Sequence, residues 1–209
     1  MRLILIGPQG SGKGTQADLI SEKYKLPHIS AGNILLYNIR NNTKLGKLAK
    51  PYYDKGQLVP IGIVSDLIKS RIHKKDCSKG FILDGFPRSL EQANLLKQFV
   101  EIDKVIVITL PREKVYERIS KRVMCKCGLN YHLIYNPPKV KGKCDKCGGK
   151  LFKREDDTIP AIKKRLNIYD NETKPLIEYY KEKVVKINGD QLIPKVFEDI
   201  KKVLSNRKF

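Results

Sequence analysis

Residues 7–15 read Gly7-Pro8-Gln9-Gly10-Ser11-Gly12-Lys13-Gly14-Thr15. An apolar, β-prone run (2–6) precedes this stretch, and a helix-forming run (16–23) follows it. The glycines allow several backbone N–H groups to point at one anion, the following helix aims its positive dipole end at the same place, and Lys13 adds an ammonium group. A strand, a glycine-rich loop and a helix in this order are typical of a phosphate-binding loop. The stretch therefore predicts a site for a nucleoside triphosphate, but it does not tell where the phosphoryl group goes.

The chain is strongly basic: its 209 residues include 42 Lys and Arg against 22 Asp and Glu, a formal net charge of +20. This charge fits nucleic-acid binding, an enzyme whose substrates are polyanions, or adaptation of the surface to a hot or salty cell. The basic residues are dispersed, with Lys-Lys pairs at 74–75, 163–164 and 201–202. Dispersion argues against a nucleic-acid-binding tail, because such tails concentrate their charge.

The apolar content is that of an ordinary globular protein, with 41% hydrophobic residues. No apolar run in the sequence approaches the roughly 18–20 residues that span a bilayer. The run 3–6 is too short for a signal peptide, and the phosphate-binding loop follows it at once. We therefore expect a cytoplasmic protein without membrane contact.

Strand-like and helix-like patterns alternate along the chain. Strand-like runs lie at 2–6, 80–83, 105–110 and 184–187, and helical patterns at 89–99, 113–121 and 159–183. This alternation predicts an α/β protein with a mostly parallel sheet, and a ligand at the carboxyl ends of its strands. Two segments, 30–59 and 121–157, have the appearance of insertions into this pattern.

Four of the five cysteines lie in the second insertion, as the pairs Cys125/Cys127 and Cys144/Cys147, each followed by glycine. Two such knuckles suit a closed, tetrahedral zinc site of structural type. The first knuckle has only one intervening residue, so Cys125 is the least certain ligand, and His132 is the nearest alternative donor. Disulfides and an iron site are the other interpretations. Cys77 stands alone, and we interpret it as an ordinary turn cysteine.

Arginines flank the ends of the second insertion. Arg88 follows the run 81–87, Arg118 and Arg122 lie one helical turn apart ahead of the cysteines, and Arg154 and Arg165 follow the cysteines. Forked cations in such a set neutralise phosphoryl oxygens and hold a donor and an acceptor in line. The arrangement therefore favours phosphoryl transfer between two nucleotides over a nucleic-acid-binding ribbon.

Taken together, these motifs resemble those of the adenylate kinases. The resemblance rests on the loop 7–15, the segment 84–88 with Gln92, the arginines at 118, 122, 154 and 165, and the long cysteine-bearing insertion, and it covers essentially the whole chain. It implies a P-loop three-layer α/β/α core with a five-stranded parallel sheet, formed by residues 1–29, 60–120 and 158–209. It also implies a helical nucleoside monophosphate-binding domain (30–59) and a zinc-ribbon-like lid (121–157). The implied reaction is ATP + AMP ⇌ 2 ADP, with Mg²⁺ bound to ATP, Zn²⁺ in the lid, and a monomeric enzyme.

The same resemblance assigns roles to single residues. Lys13, Arg88, Arg122, Arg154 and Arg165 are the catalytic set, and Asp84 is the carboxylate that orients the water shell of Mg²⁺. The expected contacts of ATP are Gly10, Gly12, Lys13, Gly14, Thr15, Arg118, Arg122, Tyr131 and His132. The expected contacts of AMP are Ala31, Leu36, Arg40, Leu58, Val59, Gly85, Arg88, Gln92, Arg154 and Arg165. The implied zinc ligands are Cys125, Cys127, Cys144 and Cys147.

One segment departs from the family pattern, which has Thr and Arg where this chain has Ala31 and Leu36. Loss of that cation removes a charge-assisted contact worth about 1.5–3 kcal/mol. Arg40 lies one helical turn further on, and our hypothesis is that it substitutes. Ala31 also resembles the corresponding residue of UMP/CMP kinases, so a pyrimidine acceptor is the alternative to AMP. A P-loop protein that binds nucleic acid through its ribbon is the alternative of a different class, and it predicts aromatic residues among the basic ones.

Overall fold

The computed structural model describes residues 1–55, 57–154 and 157–205. The described strands are β1 Arg2–Ile6, β2 His28–Ser30, β3 Phe81–Asp84, β4 Lys104–Thr109, β5 Arg122–Cys125, β6 Asn130–His132, β7 Leu151–Phe152 and β8 Val184–Asn188. The described α-helices are α1 Lys13–Tyr24, α2 Ala31–Arg40, α3 Lys44–Asp54, α4 Ile61–Ile72, α5 Leu90–Lys97, α6 Arg112–Ser120, α7 Ile159–Ile168, α8 Leu176–Tyr179 and α9 Ile193–Ser205.

A five-stranded parallel sheet in the order β2-β3-β1-β4-β8 forms the centre of the fold. In its middle strand β1 the last four residues are apolar and at most 2% exposed, because helices cover both faces of the sheet. One hydrophobic cluster lies on each face: the first includes Ile4, Phe86 and Leu96, and the second includes Leu3 and Ile200. The predicted parallel α/β core is confirmed.

The carboxyl ends of these strands meet at one edge of the sheet. β1 leads into the loop 7–12, β2 ends at Ser30, and β3 ends at Asp84. Ser30 and Asp84 are register partners, and Asp84 also pairs with Leu5. The first segment of the chain that follows each strand therefore opens onto a single cleft.

The prediction of one continuous helix over 159–183 is wrong, because the segment is divided into several shorter elements. α7 ends at Ile168, a π-turn spans Tyr169–Thr173, and only the short α8 and a 3-10 turn follow before β8. Pro175 explains the interruption, since it lacks an N–H group and its ring crowds the preceding turn. The backbone N–H of Lys174 instead donates to Tyr169, five residues back. This irregular turn brings Thr173 next to Arg88, whose carbonyl accepts a 2.8 Å hydrogen bond from the Thr173 hydroxyl.

Each predicted insertion has a structure of its own. In the first, α2 and α3 pack together, and Thr43 caps α3 by accepting a 3.0 Å hydrogen bond from the backbone of Gly46. In the second, β6, β5 and β7 form a small antiparallel sheet around Val123, Tyr131 and Leu151. Within the described residues, no helix combines the length and the apolar character needed to cross a membrane.

Candidate active site

The loop after β1 is shaped to bind phosphate. Gly10 and Gly12 have φ values of 78° and 90°, in the left-handed region that favours glycine. Lys13 Nζ donates hydrogen bonds of 2.8 Å to the carbonyl of Gly7 and 3.0 Å to that of Pro8, so the ammonium group sits at the centre of the loop. Burial lowers the pKa of Lys13 to about 8; the charge of Asp84 opposes this shift, whereas Arg88 and Arg122 add to it. A buried cation surrounded by further cations favours an anionic ligand.

The cleft around this loop has a volume of about 2270 Å³ and extends from the loop to both insertions. The expected donor residues Gly10, Gly12, Lys13, Gly14, Thr15, Arg118, Arg122, Tyr131 and His132 all contribute to its wall, as do Leu36, Arg40, Leu58, Val59, Gly85, Arg88, Gln92, Arg154 and Arg165 on the acceptor side. The structure thus brings the sequence-predicted residues to one cavity, with one exception. Ala31 packs against the core cluster under α2 and does not line the cleft, whereas its neighbours Ser30 and Gly32 do.

Asp84 belongs to a chain of charged groups that the sequence analysis missed. His28 Nδ1 lies 2.8 Å from Asp18 Oδ1, and its Nε2 lies 3.6 Å from Asp84 Oδ2. Burial lowers the pKa of His28, but the hydrogen bond with Asp18 and the charges of Asp18 and Asp84 together outweigh it and raise the pKa to about 9. Burial raises the pKa of Asp84, yet the close contact with His28 and the charges of Lys13, His28 and Arg88 leave it below its ordinary value. Asp84 is therefore an anion at neutral pH.

Four of the predicted arginines converge on the space above Lys13. Burial, together with the nearby charges of Arg154, Arg122 and Arg88, lowers the pKa of Arg165 to about 10. Arg88 is held by its own turn: its Nε donates a 2.9 Å hydrogen bond to the carbonyl of Gly85, and its backbone N–H donates a 2.7 Å bond to Oε1 of Gln92. Such a concentration of cations in one cleft suits a polyphosphate.

Asp157 is the carboxylate that pairs with two of these arginines. Its oxygens accept hydrogen bonds from Nε of Arg122, at 3.0 Å, and from the same guanidinium's terminal nitrogen. Arg165 lies 3.7 Å from the same carboxylate, which is only 6% exposed. Asp157 had no role among the residues predicted from the sequence, and its neighbours Glu155 and Asp156 lie outside the described residues. Arg122 and Arg165 are therefore held in place by a buried anion.

The far end of the donor side contains Arg118 and the aromatic residues of the ribbon. Arg118 lies 3.7 Å from Asp190 and 5.7 Å from the ring centre of Tyr135. His132 Nδ1 accepts backbone hydrogen bonds from Ile134 and Tyr135, and burial, followed by the charge of Arg118, lowers the pKa of His132. Its Nε2 is buried without a partner among the described residues. Because Nδ1 accepts these bonds, the neutral imidazole carries its proton on Nε2.

Tyr131 faces the interior of the ribbon more than the cleft. Its side chain is 6% exposed, its hydroxyl lies 3.4 Å from Cys144 Sγ, and the same oxygen accepts a 2.8 Å hydrogen bond from the backbone of Asp145. A hydroxyl engaged in this way stabilises the ribbon. The expected contact of Tyr131 with a donor nucleotide stays a prediction, and the burial of its side chain does not favour it.

The four ribbon cysteines form one cluster. The Sγ atoms of Cys125, Cys127, Cys144 and Cys147 all lie within 4.8 Å of one another. None of the chain's five cysteines, all of which are described, forms a disulfide. Cys125 is as close to the cluster as the others, at 3.4 Å from Cys147, so the short first knuckle does not exclude it as a ligand. His132 is directed elsewhere, and Cys77 lies apart beside Arg71. Four converging thiols are the donor set of a tetrahedral zinc site.

Two anion-binding sites that face each other across one cleft define the class of protein, a P-loop nucleotide kinase. The comparisons with known proteins identify the branch. The chain belongs to the adenylate kinase family, whose model, described as adenylate kinase, matches residues 5–185.

Several proteins named adenylate kinase are similar to this chain over nearly their whole length. An adenylate kinase of Methanothrix thermoacetophila is 50% identical over 98% of this chain and 99% of that protein. One from Clostridium acetobutylicum is 49% identical over 98% of this chain and 99% of that protein, and one from Thermoanaerobacter sp. (strain X514) is 48% identical over 99% of each. The comparisons favour the adenylate kinase interpretation over the pyrimidine-kinase and nucleic-acid alternatives.

Proposed function

We propose that the chain catalyses reversible transfer of the γ-phosphoryl group of Mg²⁺-bound ATP to AMP, giving two ADP. The convergence of Arg88, Arg122, Arg154 and Arg165 above Lys13 carries this proposal. A single triphosphate site that released phosphate to water would need fewer cations and a means of positioning water. Four arginines between two halves of a cleft fit a phosphoryl group that passes from one nucleotide to another.

On the donor side, the loop amides of Gly10, Gly12, Gly14 and Thr15 would hold the β- and γ-phosphates together with Lys13. Arg118 would stack on the adenine, since its guanidinium already lies near an aromatic ring and its charge is balanced by Asp190. His132, which lines the same wall of the cleft, would contact the same nucleotide.

On the acceptor side, Arg88 would bind the phosphate of AMP, and Gly85 and Gln92 would lie against the base. Leu36, Leu58 and Val59 line this end of the cleft and would contact the nucleoside. Arg40 also lines it, at the last position of α2, and has no partner in the part of the chain that the structure describes. A cation at the carboxyl end of a helix is favoured by the helix dipole and is free to bind an anion here. We therefore assign Arg40 to the AMP phosphate that Leu36 cannot bind.

The mechanism needs positioning and charge stabilisation but no general base, because the attacking phosphate oxygen of AMP is already anionic. Lys13 and the arginines would bind the equatorial oxygens more strongly as negative charge spreads over them in the transition state. The cleft would hold the two nucleotides in line and exclude water as it closes. Mg²⁺, when bound, supplies charge neutralisation at the phosphates, and the ionised Asp84 fits a role in holding its water shell.

The four ribbon cysteines would hold Zn²⁺ as a structural ion. With all four positions occupied by thiolates, no site would remain for a catalytic water, so the metal's contribution would be to crosslink the ribbon. We propose that residues 121–157 move as a lid and residues 30–59 as the acceptor-binding domain, on the core formed by 1–29, 60–120 and 158–209. One chain supplies both halves of the cleft, which supports a monomer, and the nucleotides it would use support a cytoplasmic site of action.

The proposal is tested by measuring ADP formation from ATP with AMP, CMP, UMP and GMP as acceptors. We expect kcat/KM to be highest for AMP. A higher value for CMP or UMP would replace the proposal with a pyrimidine kinase. Absence of transfer to every monophosphate, together with a gel shift of DNA or RNA at physiological salt, would favour the nucleic-acid-binding alternative.

A further inference from the structure

Gln9 lies within the phosphate-binding loop, yet its side chain reaches a residue 148 positions away. Its Nε2 donates a 3.1 Å hydrogen bond to Oδ1 of Asp157. A carboxylate only accepts hydrogen bonds, so the NH₂ end of the amide has to face it. The other end of the same amide, Oε1, is buried and has no partner among the described residues. Gln9 thus makes one long-range contact and leaves an acceptor unsatisfied in order to make it.

Asp157 lies at the base of the ribbon, where the chain passes between the core and the ribbon. Arg122 is the first residue of β5, where the chain leaves the core for the ribbon, and Asp157 precedes α7, where the chain returns. The ion pair between them therefore joins the two crossings at the base of the ribbon. Gln9 attaches this joined base to the loop that binds the donor phosphates.

We propose that Gln9 is a positioning residue that fixes Asp157, and through it the guanidinium of Arg122, relative to the phosphate-binding loop. The inference rests on the proposed function, since it concerns the arginine that would act on the transferring phosphoryl group. An incoming phosphoryl group attracts Arg122 and repels Asp157, so a donor fixed on the phosphate-binding loop helps the carboxylate to keep its place. The amide of Gln9 provides that donor.

The chemistry of an amide suits this position better than that of the alternatives. A neutral donor binds the Asp157 carboxylate without adding to the charges of Lys13, Arg122 and Arg165, of which Arg122 already repels the other two. A carboxylate in place of Gln9 would compete with Asp157 for the arginines and repel it. A methionine would keep the length of the side chain, remove the donor, and also remove the unsatisfied Oε1.

The test is a double-mutant cycle of Gln9→Met and Asp157→Asn, with kcat, KM and Tm measured for each protein. The matched control is Gln98→Met, which changes an exposed glutamine at the end of α5. We expect Gln9→Met to lower kcat about tenfold and to change KM less than about twofold, because it removes a hydrogen bond to a charged group that orients a catalytic side chain. Its Tm should equal or exceed that of the unmodified protein. In the Asp157→Asn background the same change should lower kcat less than about twofold, because the two residues would act as one unit.

Three outcomes would overturn the proposal: an unchanged kcat in Gln9→Met, an equal loss in both backgrounds, or a lowered Tm as the only effect. If Asp157→Asn does not fold, Gln9→Glu replaces it, and that protein should be less active than Gln9→Met; greater activity would contradict the inference. Amide hydrogen exchange of residues 122–125 in the nucleotide-free protein gives a readout independent of activity. Gln9→Met should speed this exchange, and an unchanged exchange rate would refute the attachment of Gln9 to the base of the ribbon. Absence of phosphoryl transfer to AMP would instead refute the proposed reaction, and the exchange measurement would still test the attachment.

Discussion

At the scale of single residues, the cleft is held together by opposite charges that lie far apart in the sequence. Asp84 at the end of β3 is bracketed by His28 and Lys13, and Asp157 is bracketed by Arg122 and Arg165. Each carboxylate is largely buried, so removal of one partner would leave an uncompensated charge. These networks keep both carboxylates ionised and their cationic partners in place before a nucleotide binds.

The stability of the protein should depend on pH through His28. The pKa of His28 is raised from an ordinary 6.5 to about 9, so the folded state binds this proton more strongly than the unfolded chain does. The resulting stabilisation, up to roughly 3 kcal/mol, is fully present below the unfolded pKa and is lost as the pH rises through the folded one. Urea unfolding of Mg²⁺-free protein from pH 6.5 to about 9 should show a smaller loss of unfolding free energy for His28→Gln than for the unmodified chain. Equal losses in the two proteins would contradict the assignment.

Arg40 should carry part of the affinity for the acceptor. Arg40→Ala removes a cation that lines the acceptor end of the cleft, and KM for AMP should rise about tenfold or more, since a charge-assisted contact is worth about 1.5–3 kcal/mol. kcat should change little, and Arg40→Lys should recover part of the loss. Arg112→Ala, an exposed arginine paired with Asp170, is the control. An unchanged KM for AMP in Arg40→Ala would end the idea that it replaces the arginine missing at Leu36.

At the scale of helices and strands, periodicity predicted the sheet well and the site only in part. β1, β3 and β4 were recognisable because their apolar runs are buried on both faces of the sheet. β8 is an edge strand and only partly buried, but three of its five residues are apolar. β2 was missed because three residues, one of them His28, carry no detectable period. The contact of Gln9 with Asp157 and the bracketing of Asp84 by His28 depend on tertiary packing, for which the sequence contains no local signal.

The pairing of α2 with α3 depends on a glycine. A Cβ at Gly46 would lie 2.0 Å from the carbonyl oxygen of Asn38, so Gly46→Ala should force the two helices apart and cost about 1–3 kcal/mol of stability. Because these helices line the acceptor end of the cleft, KM for AMP should rise as well. Gly62→Ala in α4 is the matched control: a Cβ there meets nothing within 4 Å, and it should be neutral or stabilising by about 0.5–1 kcal/mol. Thermal unfolding and KM of the two variants decide the matter, and equal effects would contradict it.

The ribbon should depend on its metal for stability more than for chemistry. Chelation, or Cys144→Ser, should lower Tm by about 2–4 °C for each kcal/mol of stability lost, because the small ribbon core cannot order itself alone. Activity at low temperature should be largely retained. Cys77→Ser, which alters a buried cysteine outside the cluster, should leave the zinc content unchanged. Loss of activity without a change in thermal unfolding would indicate a catalytic metal instead.

At the scale of the whole molecule, the net charge of +20 is consistent with substrates that are all polyanions. The cleft adds a local contribution to this general charge, since Lys126 and Lys146 of the ribbon line its wall along with the arginines. A cleft of one sign concentrates the field and raises the rate at which anions enter. Dispersed surface lysines contribute to the net charge but not to this focusing.

The rate of association with AMP should therefore depend on the salt concentration and on where the positive charges lie on the protein. Between about 0.01 M and about 1 M salt the Debye length falls from about 30 Å to about 3 Å. Over that range kcat/KM for AMP should fall about tenfold or more while kcat changes little, because steering affects association and not the transfer step. Replacing Lys126 and Lys146 with Gln should lower kcat/KM at low salt more than the same replacement at the exposed pair Lys74 and Lys75, which changes the net charge equally. Equal effects of the two pairs would assign the steering to the total charge of the molecule, and an insensitivity of kcat/KM to salt would exclude steering altogether.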